Sequence, residues 1–274
     1  VVSPKSGFVY NANHSPFKSS GSDDNPKIED FASEMNFETY DNNRSTRLLH
    51  LIEEQEHIDY ARFKRIKYDH QLPTPLNYNY MDLNSLFDMK PEDYPEVGAL
   101  LAEIKNWNRV TDVESYGAGA YALLYYNLAP FYYELSEDRV FTHKALFEAL
   151  KVTKSYMKTY FKSDRVRLGD FQKLVRGDKE LPAFGLPDVV TAMRGESHKD
   201  GKIKITHGES YIGLVRFTPA KTYYESVISY GSSSRPESPH YSDQMELYLD
   251  FKTKKMSFDR LEVLGSALSR YAPK

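Results

Sequence analysis

Four groups of residues in this chain have types and spacings that could carry chemistry, and each also has a plain structural reading. His50 and Glu54 stand four apart, a helical spacing that would aim an imidazole and a carboxylate at one metal ion. No third ligand is evident, so the pair reads as a solvated charged face. Ser155-Tyr156-Met157-Lys158 has the Ser-x-x-Lys spacing of a lysine-activated serine but lacks the companion motifs of that chemistry. Gly117-Ala118-Gly119-Ala120-Tyr121-Ala122 fits a dinucleotide-binding loop, which requires a buried strand before it. Thr111 to Tyr116 is polar, so small residues packing closely within a buried helix explain the run better. Asn13, just before Ser15-Pro16, reads on residue type alone as turn chemistry. Arg44 likewise reads as an arginine at the solvated start of a helix.

Composition bounds what these groups can be. The chain has 274 residues, enough for a sizeable core, with 40% hydrophobic and 27% charged residues. A net charge of -3, with no long basic block, gives no pull toward nucleic acid or an anionic membrane. There are no cysteines, which excludes disulfides and thiolate metal sites and fits an oxidising compartment. No apolar run approaches a membrane span; the longest, Ala118 to Leu128, is interrupted by Gly119, tyrosines and Asn127. The first residue is Val1 and no signal peptide is visible, so the chain reads as a processed or excised portion of a longer protein. Its 22 Tyr and 15 Phe are spread along many segments, which favours a half-buried core with Tyr at its margins over one ligand surface.

The elements that must position these residues fall into three stretches. Residues 1–40 look extended or irregular, with a short strand over Gly7 to Tyr10 and loop chemistry from Lys18 to Lys27. Helical signals dominate residues 41–195. Asp41, Asn42 and Asn43 are candidate N-caps for a first helix, and Ile58 to about Asp69 gives a second, broken by Pro73 and Pro75. Pro95 opens a third that runs to Trp107, and Tyr116 to Leu135 reads as a buried helix kinked at Pro130. Lys144 to Phe161 is amphipathic. Residues 196–274 change character: Lys202 to Thr206, Tyr211 to Phe217 and Tyr224 to Tyr230 alternate as strands. A last helix follows over Tyr241 to about Phe251, then a turn at Lys252 to Lys255 and a short element from Met256 to Leu268.

Two runs near the start carry a resemblance. Ser6-Gly7-Phe8-Val9-Tyr10-Asn11-Ala12-Asn13-His14-Ser15-Pro16 and Asp41-Asn42-Asn43-Arg44-Ser45-Thr46-Arg47-Leu48-Leu49 resemble the penicillin acylase family of N-terminal-nucleophile amide hydrolases. Later blocks agree in order. Gly169 to Leu174 with Leu181-Pro182-Ala183-Phe184-Gly185 looks like a loop of the acyl-homoserine-lactone and lipopeptide acylase branch. Gly208-Glu209-Ser210-Tyr211 looks like a family strand start. Ser238-Pro239-His240-Tyr241-Ser242-Asp243-Gln244, after Gly231-Ser232-Ser233-Ser234, looks like the family's closing element. Ser232 and Ser234 depart from the usual Gln and Gly there, and a Gly would permit backbone angles a Ser does not.

The resemblance implies an α+β chain, mainly helical with a few C-terminal antiparallel strands, a fragment of an αββα acylase and the C-terminal part of its large (beta) chain. Residues 1–40 would line the active-site mouth, 41–195 form the helical region, and 196–274 complete the sheet. The implied reaction hydrolyses the amide of an N-acyl substrate, a penicillin, an acyl-homoserine lactone or similar, through an acyl-enzyme. The attacking group would be an N-terminal Ser whose own amine is the base. Asn13 would be the side-chain donor of the oxyanion hole, with Arg44 supporting it from behind. An amide N–H suits that role because it donates without adding a titratable group. His240 is then structural rather than a base. Val1 has no side-chain nucleophile, so the chain alone should be inactive. The partners implied are the upstream part of the same precursor, carrying the Ser, the small (alpha) chain and the N-acyl amide. No cofactor or metal, nucleic acid or membrane is expected, and the location implied is periplasmic or secreted. The rival reading is a non-catalytic, Tyr-rich module that binds a ligand or partner. A chain cut from a larger sheet should also expose an apolar patch or an open sheet edge at its later strands.

Overall fold

The computed structural model describes residues 1–134 and 139–270. It falls into two compact units: one of Val1–Lys173 with Pro182–Gly208, the other of Leu174–Leu181 with Glu209–Lys274.

In the first unit, residues 1–40 form only short 3-10 turns. The strand expected over Gly7 to Tyr10 is absent. Gly7 has a φ of 79°, and the segment is pinned by side chains instead of a ladder: Asp24 accepts from the Lys5 and Ser6 N–H groups at 2.9 and 2.8 Å, and the Ser20 hydroxyl donates to the Phe8 carbonyl at 2.7 Å.

Among the described residues seven α-helices follow: α1 Asn43–Glu53, α2 Tyr60–Lys67, α3 Ser85–Asp88, α4 Gly98–Lys105, α5 Tyr116–Asn127, α6 His143–Phe161 and α7 Leu168–Phe171. Asn42 caps α1 through a reciprocal pair: Ser45 N–H donates to Asn42 Oδ1 and Asn42 N–H to Ser45 Oγ, each at 2.9 Å. The helix expected from Pro95 begins at Gly98. The long kinked helix expected over Tyr116 to Leu135 is two elements, since α5 stops at Asn127 and Pro130 lies in a 3-10 segment, Ala129–Glu134. Leu135 lies outside the described residues.

Helix α5 is the centre of this unit. Every residue from Gly117 to Leu124 is buried, packed against α4 and α6 with Leu101, Ile104, Leu146 and Leu150. Its glycines are there for contact. A Cβ on Gly119 would lie 2.1 Å from the Val166 carbonyl oxygen, and one on Gly117 2.4 Å from the Trp107 Cβ. The dinucleotide-like spacing is therefore a packing stripe.

Among the described residues four strands follow, β1 Gln172–Arg176, β2 Lys179–Pro182, β3 Met193–Ser197 and β4 Ile203–Gly208, in the order β2-β1-β4-β3; of these, the stretch Leu174–Leu181 of β1 and β2 is counted with the second unit. β1, β2 and the start of β3 fall within the stretch expected to be helical. They are four or five residues long and half polar, too short for periodicity to reveal, although Gly177-Asp178 between β1 and β2 is a turn signal. The pairing of β1 with β4 is parallel, whereas the C-terminal strands pair antiparallel as expected: β4 with β3, and the later strands Tyr211–Phe217, Thr222–Ile228 and Lys254–Met256 each with the next. Between Arg194 and Gly195 the β3–β4 register breaks in a bulge.

In the second unit, β5 Tyr211–Phe217 and β6 Thr222–Ile228 form a hairpin. Then come α8 Met245–Leu249, β7 Lys254–Met256, which pairs with β6, and α9 Arg260–Ser266. Lys254 and Lys255 are thus strand where a turn was expected, and the helix expected over Tyr241 to Phe251 is only α8. Ile212, Leu214 and Val227 are buried, as are Met245 and Tyr248 of α8. On the opposite face Tyr211, Val215 and Phe217 are exposed, Phe217 by 80%, and β5 is one of the two outer strands of its sheet. Among the described residues this is the apolar patch and open edge foreseen from sequence. The Ser232 and Ser234 departures cost no strain, for neither takes a positive φ.

Candidate functional site

Asn13 and Arg44, 31 positions apart, meet in the first unit. Asn13 adopts a left-handed backbone with φ 55°, a conformation Asn tolerates, and its N–H is met by Asn11 Oδ1 at 3.0 Å. Its neighbours Ala12, His14 and Ser15 are buried, whereas Asn13 itself is exposed. His14 anchors the turn. Its Nδ1 accepts from the Ala12 N–H at 3.1 Å, so Nε2 carries the proton and donates to the Lys18 carbonyl at 2.9 Å. The cap of α1 grips the same turn: Asn42 Nδ2 donates to the Ala12 and Asn13 carbonyls at 2.8 and 3.1 Å.

Arg44 therefore starts its helix beside Asn13. Arg44 Nη1 donates to Asn13 Oδ1 at 3.1 Å. A guanidinium has donors only, so the amide must turn its oxygen to Arg44 and leave both Nδ2 hydrogens for another partner. The side chain is thereby oriented as a donor.

Arg44 is itself held by a residue that sequence reasoning missed. Arg44 Nε donates to Asp188 Oδ1 at 3.0 Å, while Asp188 Oδ2 accepts from Asn43 N–H at 2.9 Å and Asn43 Nδ2 at 3.1 Å. Burial pushes the Asp188 carboxyl above the ordinary carboxylate value, and Arg44 and Asn43 pull it back down. Asn43 Oδ1 in turn accepts from Asn77 N–H at 2.6 Å. The cluster is neutral amide, cation, carboxylate, then neutral amides.

The loop carrying Asp188 is fixed on both sides. Gln172 is wholly buried, and its Nε2 donates to the carbonyls of Ala183, Phe184 and Gly185 at 3.0, 3.2 and 2.7 Å. Gly185 needs φ 82° there, and a Cβ on it would lie 2.5 Å from the Thr191 carbonyl oxygen. Thr191 N–H donates to the Asp69 carbonyl at 3.2 Å. Arg47, one turn beyond Arg44, grips the Asp69 carboxylate with two bonds of 3.0 and 2.8 Å. Helix α1 thus ties both Asp188 and Asp69, whose carbonyl steadies its loop.

The remaining candidates have contacts of their own. His50 and Glu54 form an exposed 3.0 Å pair, and no group of three or more metal-type ligands occurs among the described residues. Lys158 pairs with Asp164 at 3.5 Å. In the second unit His240 Nδ1 contacts Asp243 Oδ2 at 2.8 Å, in the turn that precedes α8. Chemically, the Asn13 cluster offers a neutral hydrogen-bond donor backed by a fixed positive charge. It contains no group free to attack a carbonyl carbon.

The chain is similar to known proteins. The family described as penicillin amidase matches residues 1–264. Acyl-homoserine lactone acylase PvdQ of Pseudomonas syringae pv. syringae (strain B728a) is 30% identical over 98 residues, 35% of this chain and 13% of that protein. The protein of the same description from Pseudomonas fluorescens (strain Pf0-1) is 27% identical over 108 residues, 38% of this chain and 14% of its own length. Among solved structures, a thermostable penicillin G acylase from Alcaligenes faecalis aligns with 99% of this chain and 57% of its own, at a TM-score of 0.46 and 13% identity. The matched stretches are thus a small part of the curated relatives.

Proposed function

This chain belongs to the penicillin amidase family, and from that premise we propose that it is the part of an amide-hydrolysing acylase that supplies the oxyanion donor. Asn13 Nδ2 would donate to the substrate carbonyl oxygen as negative charge develops on it, and Arg44 would support Asn13. The nucleophile, a serine at the N-terminus of a processed chain, would come from the upstream part of the precursor. Its hydroxyl adds to the amide carbon, the C–N bond breaks with a proton passing to the leaving amine, and water then releases the acyl group. The reaction asks no metal or cofactor of this chain.

The observation that carries the reading is the Arg44 Nη1–Asn13 Oδ1 bond of 3.1 Å. It gives the exposed amide one orientation before any substrate arrives, which is what preorganised stabilisation of an oxyanion requires. The irregular segment 1–40, which ends against α1, would form part of the mouth of that site. The open edge of β5 and the exposed Phe217 suit completion by strands from the rest of the precursor. No helix among the described residues is long and apolar enough to cross a membrane, and a periplasmic or secreted location is part of the proposal.

The test is release of a chromogenic amine from acyl amides of several chain lengths. It compares this chain alone, the full-length gene product and full-length Asn13→Ala. Activity confined to the full-length protein, and reduced about 100- to 1,000-fold in the variant, supports the assignment. A self-cleaved, folded full-length protein that hydrolyses no amide overturns it.

A further inference from the structure

The turn that presents Asn13 is built around a buried titratable side chain that the proposed reaction does not use. His14 is 4% exposed, and its ring stacks on that of Tyr10, with centres 4.7 Å apart and planes at 27°. Its two nitrogens face opposite kinds of partner. Nδ1 meets a donor, the Ala12 N–H at 3.1 Å, and Nε2 meets an acceptor, the Lys18 carbonyl at 2.9 Å. Only the neutral imidazole with its proton on Nε2 satisfies both. Ala12 is itself buried, and its carbonyl accepts from Asn42 Nδ2, which also holds the Asn13 carbonyl.

Protonation reverses the first of these contacts. An imidazolium carries hydrogen on both nitrogens, so Nδ1–H would point at the Ala12 N–H, and two donors make no bond. One of them has to turn away, which leaves the Ala12 N–H buried without its acceptor. Ala12 and His14 flank Asn13 on either side. A shift at that contact therefore reaches Asn13 through covalent bonds, and with it the 3.1 Å bond from Arg44 Nη1 that orients the amide. The titratable groups on the elements that meet this turn have partners of their own. Tyr10 offers His14 its ring face, and burial, with the charges of Asp41 and Glu53, pushes its hydroxyl up to about 12, so it stays protonated. Lys18 pairs with Asp41, Arg44 is bound to Asp188 and Asn13, and Tyr40 meets the turn through its carbonyl, which accepts from the Ser15 N–H at 2.9 Å.

We propose that His14 is a positioning residue: neutral, it holds the turn from which Asn13 donates, and protonated on Nδ1 it withdraws that donor, so the oxyanion hole is lost as pH falls. This rests on the acylase reading above and adds a proton-controlled step to it. Imidazole side chains exchange this proton between about pH 5 and 8. Two amides separate the acceptor from the titration. Asn in place of His14 puts an acceptor, Oδ1, where Nδ1 now stands and cannot take up a proton. Gln reaches toward the Lys18 carbonyl with Nε2 but leaves the Ala12 N–H bare. Both lose the same stack on Tyr10.

The whole matured protein is assayed across pH on a neutral chromogenic anilide, as wild type, His14→Asn and His14→Gln. The terminal amine of the nucleophile must also be neutral, so wild type has two groups to protonate. Below both steps kcat/KM of wild type should fall about 100-fold per pH unit, and that of His14→Asn about tenfold. His14→Gln should lower kcat about 10- to 100-fold at every pH with little change in KM, and His14→Asn should recover most of that loss. An acid limb as steep in His14→Asn as in wild type overturns the proposal. So does a His14→Gln variant as active as His14→Asn, since a merely structural role would reduce the two alike. NMR of labelled histidine rings and asparagine side-chain amides in the same protein needs no turnover, and His14→Asn and Asn13→Ala identify the two signals. The Asn13 amide should shift with the same pH midpoint as the His14 ring. That coupled shift without hydrolysis of any amide supports the positioning role and removes the acylase reading. Hydrolysis without the coupled shift does the reverse, and neither shift nor hydrolysis removes both.

Discussion

Asp188→Ala tests whether the cluster behind Asn13 is held as the geometry implies. The substitution deletes one carboxylate that accepts three hydrogen bonds, from Arg44 Nε, Asn43 N–H and Asn43 Nδ2. Asn43 is 0% exposed, so its two donors are left in the interior. An unpaired buried donor costs about 1–3 kcal/mol, giving about 2–6 kcal/mol for two. The Asp188 side chain is 15% exposed, so water can enter from one side and the lower half of that range, about 2–4 kcal/mol, is expected. Asp188 also has a φ of 65°, which alanine accepts about 1–2 kcal/mol less readily than a residue whose side chain bonds locally. The sum is about 3–6 kcal/mol. Asp188→Asn is the control: it tolerates the left-handed backbone and keeps one oxygen acceptor, so about 1–2 kcal/mol is expected. Urea titration reads the difference as a lower midpoint at unchanged m. An alanine variant within about 0.5 kcal/mol of wild type, inside the range of an ordinary surface change, would refute the reasoning. So would an asparagine variant as costly as alanine.

Other consequences follow from the same contacts. Arg44→Lys exchanges a fork that spans Asn13 and Asp188 for a point charge that can serve only one, so kcat of the full-length protein should fall roughly tenfold with little change in KM, as steady-state kinetics would reveal. Gly119→Ala drives a Cβ to 2.1 Å from the Val166 carbonyl and should cost at least the usual overpacking penalty of about 1–3 kcal/mol, visible as a lower Tm; an unchanged Tm would deny the close approach. Burial holds Tyr10 and Tyr126 up at about 12, above the 10.0 of an unfolded tyrosine. The stability they contribute is therefore whole below pH 10 and is lost as pH rises through about 12. Absorbance of tyrosinate against pH should show a late step coinciding with loss of circular dichroism, and an early step without unfolding would contradict it.

The sequence by itself determined the local pieces of this protein. Asn42 and Ser45 cap α1 because side chains three apart can reach each other's backbone, and nothing distant is needed. The amphipathic pattern of α6, the apolar character of α5 and the alternation of β5 and β6 were legible for the same reason, since periodicity is a property of neighbouring residues. The Asn13 and Arg44 runs could be singled out as motifs, because each is short and contiguous.

Only tertiary structure decided how those pieces act together. Asp188 lies 144 residues from Arg44, in a Leu-Pro-Asp-Val stretch with no periodic or motif signal, and its role exists because Gln172, Gly185 and Thr191 fold one loop onto α1. The short strands β1 to β3 were hidden because four or five residues carry too little alternation, and their pairing is set by partners far along the chain. The break of α5 at Asn127 came from Pro130 acting within a run whose hydrophobicity alone would have continued the helix. Orientation is the last such quantity. A sequence can supply an asparagine amide, but which of its two ends is left free depends on a guanidinium 31 positions away that can only donate.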